Sequence, residues 1–254
     1  MKDSAIEWTD HTFIPWEGCS KVSPGCAHCY AENRLATRFK RVGWGPGAPR
    51  RRTSEDNWKQ PLKWDRIYRG VGRRSRVFTN SAGDVFDREV PDPWRWDLIH
   101  LIDATPNLTW QLLTKRPEGA AWWKSVWRGE FQEALARSWI GISVEDQTWA
   151  ERRLPWLRAL GAFDVRFLSV EPMLGPIDLG KWLDHVDWVI CGGESGAGAR
   201  RLDPAWVKNL RDQCESRGVP FFFKQWGGVR KRENGRLLEG KEYNQFPYRP
   251  RLAA

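Results

Sequence analysis

No stretch of this 254-residue chain stays apolar for the roughly 20 residues that a membrane helix needs. No zinc-finger, helix-turn-helix or P-loop signature is present, so sequence-specific DNA reading and NTP hydrolysis have no support. No internal sequence repeat is evident. Cysteine is sparse, at 5 residues, and Met1-Lys2-Asp3-Ser4 leads straight into a patterned segment without a targeting peptide. A soluble, cytoplasmic protein is expected, in a reducing setting where disulfides do not persist.

Positive charge and tryptophan are plentiful. The 41 Lys and Arg outnumber 32 Asp and Glu, and the formal charge of +9 favours a polyanionic partner. Many of the 18 Trp must be core, yet a basic, Trp-rich surface is also a surface on which bases stack. At 41% hydrophobic the chain can build a substantial core, and its length fits one domain over residues 1–254.

Three of the five cysteines crowd into one stretch, Cys19, Cys26 and Cys29, spaced C-x6-C-x2-C. Gly18 and the Ser23-Pro24-Gly25 turn let the backbone fold sharply, so that three thiolates can meet. Three soft ligands with no obvious local fourth predict a metal or cluster site with one open position. A zinc site using the three cysteines with His28 or a distant ligand fits the same spacing. His28 itself, inside the C-x2-C turn, reads as exposed.

Downstream, short apolar runs alternate with helical ones. Strands are predicted at 12–16, 77–80, 109–113, 139–144, 165–170, 187–191 and 219–224. Helices are predicted at 29–42, 94–104, 117–136, 147–160 and 204–217. The alternation implies βαβ units, hence an α/β fold with a mainly parallel sheet, and the unit count suggests a complete or partly open barrel. Residues 44–76 interrupt it with a basic insertion that interleaves Trp44, Trp58 and Trp64 with Arg50, Arg51, Arg52, Arg73, Arg74 and Arg76. Those arginines are candidate nucleic-acid contacts, or a solvated loop. Residues 229–254 read as a charged tail lying across the surface.

The cysteine loop resembles that of radical S-adenosylmethionine (radical SAM) enzymes, with Tyr30 as the aromatic residue beside the last cysteine. The first gap of six residues departs from the commonest C-x3-C-x2-C. A wider set of segments is similar to a phage- and prophage-associated family of radical-SAM-like proteins with a three-cysteine motif. They are Ile6-Glu7-Trp8-Thr9-Asp10, Val22-Ser23-Pro24-Gly25-Cys26, Cys29-Tyr30-Ala31-Glu32, Leu113-Thr114-Lys115-Arg116-Pro117, Ser169-Val170-Glu171-Pro172 and Cys191-Gly192-Gly193-Glu194-Ser195-Gly196. The resemblance implies a partial (β/α)6 TIM-like barrel. It implies a [4Fe-4S] cluster on Cys19, Cys26 and Cys29, with S-adenosylmethionine on the fourth iron. It also implies reductive cleavage to a 5′-deoxyadenosyl radical, which calls for an electron donor such as a flavodoxin or ferredoxin. Basic charge and the phage association point to a nucleic acid or nucleotide substrate, in modification or repair.

Functional groups of parallel α/β folds collect at the carboxyl ends of the strands. By the resemblance, the loop with Asn80, Ser81 and Asp84 receives the methionine amine, although it lacks the usual Gly-Gly-Glu. Ser143 and Glu145 suit ribose or carboxylate contacts, Glu171 completes the polar rim, and Gly192-Gly193 brings backbone close to a ligand or makes a tight turn. Cys191 reads either as a core residue or as a thiol hydrogen donor, with Glu194 and Lys224 as further catalytic candidates. Lys115, Arg116 and Lys224 either bind substrate phosphate or pair with Glu145, Glu171 and Glu194. Cys214 reads as structural. Two other classes remain open: a zinc-stabilised nucleic-acid-binding module, and a metal-dependent nuclease using Asp84, Glu145, Glu171 and Glu194.

Overall fold

Apolar strands rich in Val, Ile and Phe can be buried on both faces only if something covers each face, and helices cover the outer one here. The computed structural model describes residues 4–247. Residues 1–3, and positions 248–254 of the expected tail, lie outside them. Among the described residues the strands are β1 (His11–Thr12), β2 (Trp16–Glu17), β3 (Arg51–Arg52), β4 (Ser75–Thr79), β5 (Leu108–Thr114), β6 (Trp139–Ser143), β7 (Val165–Val170), β8 (Trp188–Gly192) and β9 (Phe221–Gln225). Seven form one wholly parallel sheet in the order β1-β4-β5-β6-β7-β8-β9, curled into a half-barrel. This is the partial TIM-like barrel that the resemblance implies, built on the parallel α/β sheet that the alternation predicts.

The two faces of the sheet divide the apolar residues by strand parity. Val77, Trp110, Ile140, Val189 and Phe223 pack outward under the helices. Phe78, Trp139, Phe167, Trp188 and Phe222 fill the inside, with Trp8 and Phe246 packed among them. Trp188 is edge-on to Trp139 and to Phe222. Tryptophan is thus chiefly core material, and Trp16, Trp110, Trp127 and Trp188 have no exposed surface.

Several elements differ from expectation. The first strand is only His11–Thr12, because Trp16–Glu17 leaves the sheet to form an antiparallel ribbon with Arg51–Arg52. The predicted helix over 29–42 is a single α-turn, α1 (Tyr30–Glu32), running into a π-helix at Asn33–Arg38. Residues 44–76 are more regular than predicted, holding α2 (Glu55–Trp58) and α3 (Gln60–Tyr68) before β4 begins. The outer helices are α4 (Asp92–Asp103), α5 (Pro117–Trp127), α6 (Gln132–Ala136), α7 (Gln147–Arg153) and α8 (Pro204–Ser216). Pro155 ends α7, and a 3-10 stretch, Leu154–Leu160, completes the expected length. The tail also does more than cross the surface. Phe223 and Gln245 bond along the outer edge of β9 to Tyr243 and Phe221, which pairs an otherwise open sheet edge.

Gly141 in β6 has no room for a side chain, since an added Cβ would lie 2.3 Å from the Phe167 ring. Gly141→Ala is expected to cost roughly 1–3 kcal/mol by overpacking. Urea unfolding measures it, and an unchanged midpoint would contradict the packing described.

Candidate functional site

The cysteine loop closes over the carboxyl ends of the strands. Gly18 adopts φ +104°, a left-handed conformation, and bonds to Ala82 in the loop after β4. Ser23-Pro24-Gly25 makes the expected turn, with the Cys26 and Ala27 amides donating to the Ser23 and Pro24 carbonyls. Cys19, Cys26 and Cys29 are all free thiols and partly buried.

Buried charges pin this loop from below. The Arg50 side chain is fully buried against Asp87 at 2.7 Å, and it donates to Ser20 Oγ and to the Gly45 and Ala48 carbonyls. Arg116 reaches Asp84 at 3.1 Å, the Ser20 carbonyl at 2.9 Å and Cys19 Sγ at 3.6 Å. Asp84 also accepts from Thr114 Oγ1 and the Lys115 amide. Glu145, fully buried, accepts from Ser23 Oγ at 2.7 Å and pairs with Arg153 at 2.9 Å and Lys115 at 3.4 Å. Gly25 is what allows that approach, because a Cβ there would sit 2.5 Å from Glu145 Cγ. On the far side Arg200 binds Glu194 and the Pro24 carbonyl, and Glu194 also meets His28 Nδ1 at 3.0 Å.

These pairings show where the expected polar residues are engaged. Lys115, Arg116 and Lys224 take the pairing alternative, Lys224 meeting Glu171 at 2.6 Å. Asp84, Glu145, Glu171 and Glu194 each hold a cation, and among the described residues no three His, Cys, Asp or Glu side chains could grip one metal ion. Those four carboxylates are thus engaged in ion pairs, and His28 is turned to Glu194. Asn80 is spent on the Trp16 carbonyl and the Ala82 amide, and the Ser81 carbonyl accepts from Tyr30 Oη. Buried Ser143 gives its carbonyl to Arg153.

Gly192 and Gly193 serve packing as well. A Cβ on Gly193 would meet the Trp226 carbonyl at 2.1 Å, and Gly192 faces Glu171. Cys191 belongs to the outward, helix-facing core, 3.8 Å from Met173 Sδ, and burial pushes its thiol well above the ordinary range. This placement agrees with the core alternative. Cys214 is a buried core residue of α8.

The basic insertion is corrected most. Arg50 is interior, Arg51 and Arg52 pair with Glu17 and Asp97, and Arg52 lies over the Trp58 ring. Arg73, Arg74 and Arg76 precede or open β4, at the end of the barrel opposite the cysteine loop. There Arg76 and Arg73 face Asp10, and Arg74 donates to the Pro106 carbonyl. Trp58 and Trp64 are buried. The sequence carried no motif for Arg153 and Arg200, the partners that matter most; only their charge opposite an interior carboxylate marks them.

A cavity of about 460 Å³ opens beside the loop, lined in part by Cys29, Tyr30, Thr37, Ser195, Gly196 and Ala197. Burial pushes the Cys19 thiol up to about 12 despite Arg116, and burial also raises Cys29. Ligation by a soft metal centre would displace those protons. The donor set fits an iron–sulfur cluster. Three free thiols on one loop are the ligand type that a cubane, whose irons sit at separate corners, draws on.

Glu194 is desolvated, which alone raises its carboxyl, but hydrogen bonds from Arg200 and His28 prevail and hold it at about 2, below the ordinary 4.5. A depressed carboxyl contributes stability above its unfolded value and loses it as pH falls. The wild type should therefore lose stability between pH 4.5 and about 2 more steeply than Glu194→Gln. Acid titration of the unfolding midpoint checks this, and parallel curves would contradict it.

The chain spans 63% of the length of the solved structures it resembles, and 85% of this chain is covered. They are spore photoproduct lyase complexed with dinucleoside spore photoproduct (TM-score 0.51) and a variant of it with bound AdoMet and the same dinucleoside (TM-score 0.50), each 14% identical. At that identity the likeness establishes the fold. No curated protein matches significantly. Residues 3–247 match one family model throughout, and the chain belongs to the family described as "Protein of unknown function (DUF5131)".

Proposed function

We propose that this protein is a radical SAM enzyme acting on a nucleic acid or nucleotide. The observation that carries the reading is the loop of three unpaired, partly buried cysteines held over the strand ends of a parallel half-barrel. Cys19, Cys26 and Cys29 would hold a [4Fe-4S] cluster, leaving one iron for S-adenosylmethionine. When bound, that pair of cofactors supplies one-electron reductive cleavage and a 5′-deoxyadenosyl radical, the electron coming from a flavodoxin- or ferredoxin-type donor.

The chain's own residues set the stage. Arg116 places positive charge against Cys19 Sγ and fixes the Ser20 carbonyl, so the first ligand is oriented from strand β5. Glu145 and Arg200 anchor Ser23 and Pro24, which orients the second. Tyr30, tied to the Ser81 carbonyl, walls the cavity beside the third. The cavity wall at Ser195, Gly196 and Ala197 offers small side chains and backbone to S-adenosylmethionine, in place of the carboxylates consumed in ion pairs. The substrate assignment draws on the +9 charge and on the dinucleoside bound by the structurally similar lyase.

Anaerobic reconstitution tests the reading. Iron and sulfide should each reach roughly four per chain, and Cys19→Ala, Cys26→Ala or Cys29→Ala should abolish the cluster's visible absorption. The reduced protein should release 5′-deoxyadenosine from S-adenosylmethionine. Tightly bound zinc with no iron uptake would overturn it.

Buried Arg50 links the loop to Asp87, and truncating it leaves that carboxylate short of its main partner. Arg50→Met should destabilise the fold by roughly 3 kcal/mol and lower iron retained on gel filtration. Wild-type retention and stability would contradict the linkage.

A further inference from the structure

Most arginines of the insertion are paired within the chain. The segment that follows the last cysteine carries three exposed cations of its own. The π-helix Asn33–Arg38 closes with the Phe39 amide bonded to the Arg34 carbonyl, and this wide turn lays the Phe39 ring beside both guanidiniums. Arg34 Cζ lies 6.0 Å from the ring centroid and Arg38 Cζ 5.5 Å. Lys40 follows at φ +47° and ends the helix. Arg34, Arg38, Phe39 and Lys40 are all exposed, Phe39 at 54%.

None of these three cations has a carboxylate partner among the described residues. The nearby acids are taken, Glu32 by Lys21 and Glu17 by Arg41 and Arg51. The half-exposed Phe39 ring is flanked by two guanidiniums without carboxylate partners among the described residues. It matches what an unpaired strand offers, a base face to stack on the ring and phosphates on either side for the arginines. A duplex offers Phe39 a base face only at the cost of unstacking a step, so a single strand is favoured. The ridge also adjoins the candidate site, because Asn33 and Thr37 of the same π-helix line the cavity that Cys29 and Tyr30 line.

We propose that Arg34, Arg38, Phe39 and Lys40 form the docking ridge for a single-stranded nucleic acid and deliver it to the cavity beside Cys29. This rests on the nucleic-acid part of the proposed function and places the contact where that reading had none.

Fluorescence anisotropy with labelled oligothymidylate and oligouridylate of about 12 nucleotides tests it on the reconstituted protein, a duplex of equal length serving as control. Binding of either single strand tighter than the duplex supports the ridge. Phe39→Ala should weaken it by about five- to a hundredfold, while Phe39→Tyr should keep it. Arg34→Gln with Arg38→Gln should flatten the log–log salt dependence by about 1.4. Arg73→Gln with Arg74→Gln, at the opposite end of the barrel, should change neither. Absence of strand binding, equal affinity for the duplex, or equal losses from the Arg73 and Arg74 substitutions would overturn the proposal. Iron content of the same samples keeps the two readings apart, since a protein that binds strands without iron refutes the cluster and not the ridge.

Discussion

Carboxylates buried beneath a loop of thiols are the constraint from which the rest of the site follows. A carboxylate taken out of water costs several kcal/mol unless it is paired and hydrogen-bonded, and Asp84, Asp87 and Glu145 are almost wholly enclosed. Arg116, Arg50 and Arg153 answer them, and the donors left over on Arg50 and Arg116 reach Ser20. The cysteine loop is thereby fixed by the same pairs that make burial of the strand ends tolerable. Stability of the barrel mouth and geometry of the thiols are one problem with one solution.

That economy explains where the charge of the chain went. Arginine is suited to it because a planar fork can serve a carboxylate and two carbonyls at once, as Arg50 does with Asp87, Gly45 and Ala48. A basic, Trp-rich insertion read from composition alone looks like a nucleic-acid surface. Here Trp58 and Trp64 complete the core and its arginines hold the loop or the rim. Part of the positive surface lies on the short π-helical ridge beside the cavity.

The architecture was legible because strand burial writes itself into the sequence. Runs such as Val165–Val170 and Phe221–Gln225 are apolar on both faces, and that happens only between a filled interior and a layer of helices. The cysteine spacing was legible for a similar reason, since turn residues and ligands are local. Partners were not. Glu145 and Ser23 lie 122 residues apart, and Glu194 and His28 166 apart. Cys191 and Arg50 show the limit most plainly, because strand parity and burial, which only the folded chain reveals, turned a candidate hydrogen donor and a candidate phosphate contact into interior residues.

If the ion pairs build the loop before any metal arrives, its backbone is ordered in the iron-free protein. Hydrogen–deuterium exchange over residues 19–30 of that protein measures this directly. Protection of the Cys26 and Ala27 amides is expected to approach that of β6 already without iron. Exchange as fast as in an unfolded peptide, slowing only when iron and sulfide are added, would contradict it.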